Sequence, residues 1–302
     1  MRKVPTGVWP VLVTPFTENG DLDSAALASE IDFIIGHQAD GVVLGMVSEV
    51  LRLSSEERDA LAEAACRAAR GRAGVITSVG AESLHTALRH AKHAEAAGAE
   101  AVMAIPPLGT ACDDEELFRY YAGIIESVDL PVVVQDASGY LGRPLSNELQ
   151  ASLFAAYGDR ALFKPEAPPI GPRLTRLLEA TDGQAKVFEG TGGLALVDSY
   201  RRGIAGTMPG PDLPWALVAL WHALQAGDDD RADQIHGPLC ALVSLQTSLD
   251  SFVAVQKHLL HRQGVIAATY SRGPVGYQLD TATEQEVNRL FDRLYTVVNV
   301  RA

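Results

Sequence analysis

Short apolar runs alternate with longer amphipathic ones along most of this chain. Gly7–Val13, Gly41–Leu44, Gly74–Val79, Ala101–Ile105, Val132–Val134, Ala161–Lys164, Val187–Phe188 and Ile204–Met208 are too short for helices and predict strands. Each is followed by a segment that predicts a helix: Ser24–Gly36, Ser55–Arg70, Ser83–Ala97, Asp114–Ser127, Ser146–Tyr157, Pro172–Ala180, Gly193–Arg201 and Pro214–Gln225. Asp23 suits an N-cap, Glu56 and Glu57 suit a first turn, and Gly98 suits the residue just past a helix end. No hairpin signal separates the runs. Eight strand–helix units in a row predict an α/β fold, a parallel sheet covered by helices, and eight is the number that closes a (β/α)8 TIM barrel. A doubly wound open sheet is the competing arrangement. Beyond Gly227 the pattern changes. Asp228, Asp229 and Asp230 open a helical stretch, and further helices are expected near Asp250–Gln263 and Thr283–Val298. The expected organisation is a barrel over 1–226 with a C-terminal helical extension over 227–302 packed on it.

Charge and cysteine usage narrow the partners. The net charge of −13, from 25 Lys+Arg against 38 Asp+Glu, argues against nucleic acid, which needs clustered positive charge. A small anion needs only a few local donors. Cys66, Cys112 and Cys240 are odd in number and lack CxxC spacing, as expected of reduced thiols. The apolar run Val8–Val13 is short and contains Pro10, and no stretch is long enough to span a bilayer. A cytoplasmic protein with no membrane partner is expected.

In such barrels the active site lies at the C-terminal ends of the strands. Lys164 ends the sixth predicted strand, after Ala161, Leu162 and Phe163. A lysine emerging there is partly desolvated, which favours the neutral amine that attacks a carbonyl to form an imine. The competing reading is an ion pair with Glu49, Glu166 or Glu189. Glu166 points the same way as Lys164 if the chain stays extended through Pro165, and could shuttle protons or be a salt-bridged loop residue. Gly190, Thr191, Gly192 and Gly193 follow a strand and open a predicted helix, where backbone N–H groups suit a carboxylate. The match to GxGxxA there is weak, and no acidic-ended strand follows at the distance a nucleotide needs. His85, His90 and His93 share a helix, as do His258 and His261, but no companion ligands stand at a strand end. They read as solvated helix faces, so neither metal nor cofactor is expected.

At these residues the sequence resembles the dihydrodipicolinate synthase and N-acetylneuraminate lyase family of imine-forming barrel enzymes. The resemblance spans nearly the whole chain. It includes Gly7-Val8-Trp9-Pro10-Val11 with Thr14-Pro15-Phe16, Gly41–Glu49, Met103–Pro107 and Gly203–Met208, and it puts the family's imine-forming lysine on Lys164. There are departures. The usual Thr-Thr pair is Met46 and Val47, with Ser48 the nearest hydroxyl. Gln135 replaces the proton-relaying tyrosine, Leu108-Gly109 replaces the tyrosine that crosses a subunit interface, and Tyr140 stands for the synthase arginine. One branch, the 2-keto-3-deoxy-L-arabonate dehydratases, is similar at Ser48-Glu49, Val134-Gln135-Asp136-Ala137, Phe163-Lys164-Pro165-Glu166 and Glu189-Gly190. The resemblance implies a lyase that holds a small 2-keto acid as an imine on Lys164 and dehydrates a 2-keto-3-deoxy sugar acid. Glu166 and Ser48 are the expected proton carriers. Glu49, Gln135 and Glu189 are expected to position substrate, and Gly190, Thr191 and Gly192 to hold its carboxylate. A homo-oligomer, dimer or tetramer, is implied as well. The alternatives are a pyruvate-releasing aldolase of the same family and a non-catalytic relative that binds 2-keto acids.

Overall fold

The computed structural model describes residues 4–299. Nine short parallel segments make the barrel wall: β1 (Gly7–Val8), β2 (Val11–Leu12), β3 (Gly41–Leu44), β4 (Gly74–Ser78), β5 (Ala101–Ala104), β6 (Val132–Asp136), β7 (Ala161–Pro165), β8 (Phe188–Glu189) and β9 (Gly206–Thr207). The first two are one strand interrupted at Trp9-Pro10. β1 pairs with β9, while β2 pairs with β3. Pairing then runs in order from β3 to β7, a Phe163–Val187 bridge joins β7 to β8, and β8 pairs with β9. The ring therefore closes with eight strands, and the open-sheet alternative falls.

Side-chain alternation sorts the strand residues into two cores. Trp9, Val43, Ile76, Met103, Val133, Leu162 and Phe188 fill the barrel interior. Val42, Val102, Val132, Val134 and Phe163 face outward and pack under the helices. Several helix starts are capped as their sequences demand. Asp23 accepts from the N–H groups of Ala25 and Ala26, and Ser54 and Glu57 form a reciprocal capping box. One expectation about a helix face is corrected. His90 is buried, with Nδ1 2.9 Å from Asp59, and His93 pairs with Glu63, so this face is partnered rather than solvated.

After α8 (Pro214–Ala226) come α9 (Asp229–Val243), α10 (Leu249–Arg262) and α11 (Thr281–Asn299). α9 and α11 pack on α8 and on each other. α10 lies across the mouth of the barrel, against the single 3-10 turn Met46–Ser48 that follows β3. No helix among the described residues is long and apolar enough to cross a membrane.

Candidate active site

Strand alternation brings three polar side chains together at the barrel mouth. On β7, Leu162 points inward and Phe163 outward, so Lys164 is the next inward position and Glu166 the one after. On β6, Val133 points inward, and so does Gln135, which the ladder pairs with Lys164. Lys164 Nζ lies 3.3 Å from Glu166 Oε1. Gln135 Nε2 donates to Glu166 Oε2 at 2.6 Å. All three residues are buried. The Glu166 N–H donates to Asp136 O at 3.0 Å and keeps the end of β7 in line with β6.

Gly190 closes over this pair. A Cβ there would come 2.6 Å from Lys164 Cε and 2.8 Å from Glu166 Oε1, so the end of β8 approaches only because it is glycine. Burial pushes the Glu166 carboxyl above the ordinary range. The Lys164 charge and the Gln135 donor pull it back without cancelling that rise. A carboxyl of this kind exchanges its proton nearer neutrality than an exposed one does.

The cavity above these groups encloses about 370 Å³, its open mouth included. Met46 and Val47 give it an apolar wall. Their N–H groups start the 3-10 turn and carry no hydrogen bond among the described residues. Leu249, Phe252 and Gln256 of α10 form another wall, and Tyr140 a third. The Tyr140 ring meets Phe252 edge-on, with centroids 5.6 Å apart. Burial, then the charges of Glu166 and Glu189, push its phenol well above the ordinary value. That hydroxyl stays protonated and is a donor.

The remaining expected site residues stand elsewhere. Ser48 Oγ donates to Leu12 O at 2.5 Å and accepts the Gly45 N–H at 2.9 Å. Its proton is committed to the backbone, which removes Ser48 as a carrier. Glu49 adopts a left-handed backbone with φ of 54° that carries it out of the cavity lining. Its carboxylate lies 2.6 Å from Lys257 Nζ. Glu189 accepts from Thr191 N–H at 2.6 Å, from the Thr191 hydroxyl, and from the Thr207 hydroxyl at 2.6 Å. It ties β8 to β9 and does not line the cavity. The helix expected from Gly193 begins only at Leu196. Of the expected carboxylate cradle, Gly190 and Gly192 line the cavity, while the Thr191 N–H is taken by Glu189. Among the described residues no group of three or more His, Cys, Asp or Glu converges to hold a metal ion.

Sequence reasoning missed Tyr140 and the α10 residues. Tyr140 was visible as a replacement for an arginine, which marked its position but gave no role. Leu249, Phe252 and Gln256 carry no local signal, because only the tertiary fold brings α10 to the barrel mouth.

Known proteins are similar to this chain over nearly its whole length. An L-2-keto-3-deoxyarabonate dehydratase of Azospirillum brasilense is 28% identical over 97% of this chain and 95% of its own. A 4-hydroxy-tetrahydrodipicolinate synthase of Rhizobium meliloti is 33% identical over 93% and 96%. The solved structure of the Escherichia coli K12 prophage protein YagE, in complex with pyruvate, is 25% identical and superposes with a TM-score of 0.87 over 96% of this chain and 98% of its own. The model of the Dihydrodipicolinate synthetase family matches residues 4–293, and the chain belongs to that family of lyases.

Proposed function

We propose that the protein dehydrates a 2-keto-3-deoxy sugar acid through an imine on Lys164. The observation that carries this reading is the buried Glu166 carboxyl, held between the Lys164 amine and an amide that cannot titrate. The similarity to the A. brasilense dehydratase supports the same reaction class.

The chemistry follows from those groups. The Lys164 amine adds to C2 of the keto acid, the Glu166 carboxyl gives its proton to the former ketone oxygen, which leaves as water, and a protonated imine then faces the Glu166 carboxylate. That cation acidifies C3. The Glu166 carboxylate takes a C3 proton and an enamine forms. The enamine electron pair then expels the C4 oxygen, which leaves as water with a proton from Glu166. Hydrolysis of the new imine frees Lys164 and the dehydrated keto acid. The substrate carboxylate sits on the free N–H groups of Met46 and Val47, a better cradle than the 190–192 stretch, whose middle N–H is occupied.

The aldolase alternative needs a base at the C4 hydroxyl. A phenol held protonated, as Tyr140 is, donates to that oxygen and does not strip it, which favours loss of water over cleavage. Mass spectrometry of products from a panel of 2-keto-3-deoxy sugar acids decides the matter. One dehydrated keto acid is expected; pyruvate plus an aldehyde would replace the dehydratase with an aldolase. An imine without any product would make the protein a binding relative. The working assembly is a homo-oligomer, dimer or tetramer, and light scattering at the enzyme's working concentration should give a mass at least twice 32.2 kDa.

A further inference from the structure

A smaller compartment lies behind the cavity wall. It shares Gly192, Gly210, Phe252 and Gln256 with the cavity and is lined beyond them by Asp212 and Gln246 together with apolar Leu213, Leu217 and Val243. Asp212 stands between β9 and α8, Gln246 follows α9, and Gln256 is on α10. They are 3%, 5% and 2% exposed. Each keeps one buried oxygen, Asp212 Oδ2, Gln246 Oε1 and Gln256 Oε1, that has no hydrogen-bond partner among the described residues. Buried polar atoms are normally paired, and three orphans on one small compartment are not a packing accident. Gly210 makes room for them: a Cβ there would come 2.3 Å from Gln256 Nε2 and 2.7 Å from Asp212 Oδ1. Burial, with no cation opposing it, pushes the Asp212 carboxyl up to about 7.

We propose that this compartment receives the distal hydroxyl end of the substrate and selects uncharged, hydroxylated 2-keto acids. The inference rests on the reading that a 2-keto acid is held at Lys164. The cavity and the compartment meet at Gly192, Gly210, Phe252 and Gln256, so a molecule anchored at Lys164 by C1 and C2 directs its far end toward the compartment in this scheme. A hydroxyl both donates and accepts, so it satisfies a carboxyl and two amides whichever way the amides turn. An alkyl tail would leave all three orphans unpaired. A second carboxylate would face the Asp212 oxygens. The favoured class is therefore 2-keto-3-deoxy aldonates, with 2-keto-3-deoxy aldarates and unsubstituted 2-keto acids disfavoured. Asp212 and Gln246 are specificity-determining residues in this scheme and take no part in the bond changes.

The test is borohydride trapping on Lys164, with pyruvate and with 2-keto-3-deoxypentonate of both C4 configurations, in wild type, Gln246→Leu and Asp212→Leu. Leucine removes the polar atoms and keeps most of the volume, so both variants should fold with a melting temperature equal to or above wild type. The half-saturating concentration for the better pentonate, divided by that for pyruvate, should rise on the order of 10-fold or more in each folded variant. An unchanged ratio in a folded variant overturns the subsite. Because the measurement is a ratio, a general loss of site geometry shifts both terms and leaves it flat. If wild type traps no 2-keto acid, the imine reading fails instead. The subsite is then judged by calorimetry with 3-deoxypentonic acid, which has no ketone. Binding to wild type that weakens in both variants sustains it, and equal or absent binding removes it.

Discussion

Two buried lysine–glutamate pairs stand at the mouth of this barrel, and they are built differently. Lys257 Nζ lies 2.6 Å from Glu49, donates to Tyr270 O at 2.7 Å and to Ser271 Oγ at 3.2 Å, and sits over the Phe16 ring at 4.8 Å. Its ammonium has a partner for each of its protons. Lys164 Nζ has Glu166 at 3.3 Å and otherwise faces the cavity. The same two residue types therefore do opposite things. Three hydrogen-bond partners hold Lys257 in place and clamp α10 to the turn after β3. With one charged partner and the cavity in front of it, the Lys164 amine is placed to meet a carbonyl. Partner count, more than burial, separates the brace from the reactive group.

The first way to break this comparison is to remove each lysine. Lys164→Ala should abolish both borohydride trapping and turnover while leaving the far-ultraviolet circular dichroism of the barrel intact. An adduct on any other lysine would overturn its assignment. Lys257→Met should do the reverse. Glu49 then keeps only the longer contact to Arg52 Nη1 at 3.5 Å, and breaking the buried pair should cost up to about 3–5 kcal/mol, read as a fall in unfolding free energy by denaturant titration. Lys257→Met combined with Glu49→Leu should recover much of that loss, because an apolar pair leaves no buried charge. A single variant as stable as wild type would mean that the clamp contributes nothing.

Glu166→Gln sharpens the other half. It keeps the shape of the carboxyl and removes its proton chemistry, so imine trapping should persist while turnover falls by roughly 10²-fold. Turnover at the wild-type rate would move the proton carrier elsewhere, with Tyr140 the next group to remove. The smallest expected effect is at Gln135. Its amide donates to the Glu166 carboxylate and so lowers that group's pKa. Gln135→Leu withdraws the donor, the pKa rises further, and the acid limb of the turnover profile should move to higher pH, by about one unit or less. A shift toward lower pH would contradict the hydrogen bond. The folded-state effect has the same sign. A raised carboxyl contributes stability that is complete below its unfolded pKa and is lost as pH rises through its folded value, so Gln135→Leu should widen the window of that loss upward.

Much of the frame was legible from residue order. Strand positions such as Leu162, Phe163 and Lys164 announce their own facing, because alternation is a local property of extended chain. The common facing of Lys164 and Glu166 follows from the same rule, whereas Gln135 meets them through the register of β6 on β7. What escaped was set by long-range pairing. Nothing near Glu49 indicates that a left-handed residue will turn it toward a lysine 208 positions away. Nothing near Ser48 shows that its hydroxyl will serve the backbone of Leu12. The predicted helix at Gly193 starts later because Gly192 and Gly193 both take positive φ, which leaves Leu194 and Ala195 in the turn before Leu196. The C-terminal extension was read as packing alone, yet it furnishes a wall of the cavity.

That wall has a consequence for how the molecule comes into being. The strands carrying Lys164, Glu166 and Gln135 leave the ribosome well before α10 does. Until α10 is made, the chain lacks Leu249, Phe252 and Gln256, the residues that wall in the Lys164 amine. Only when α10 docks does the cavity gain that wall and the Glu49 charge its partner. Translation that stops after the eighth barrel helix would thus yield a chain with every strand-borne reactive group and no finished pocket to use them in.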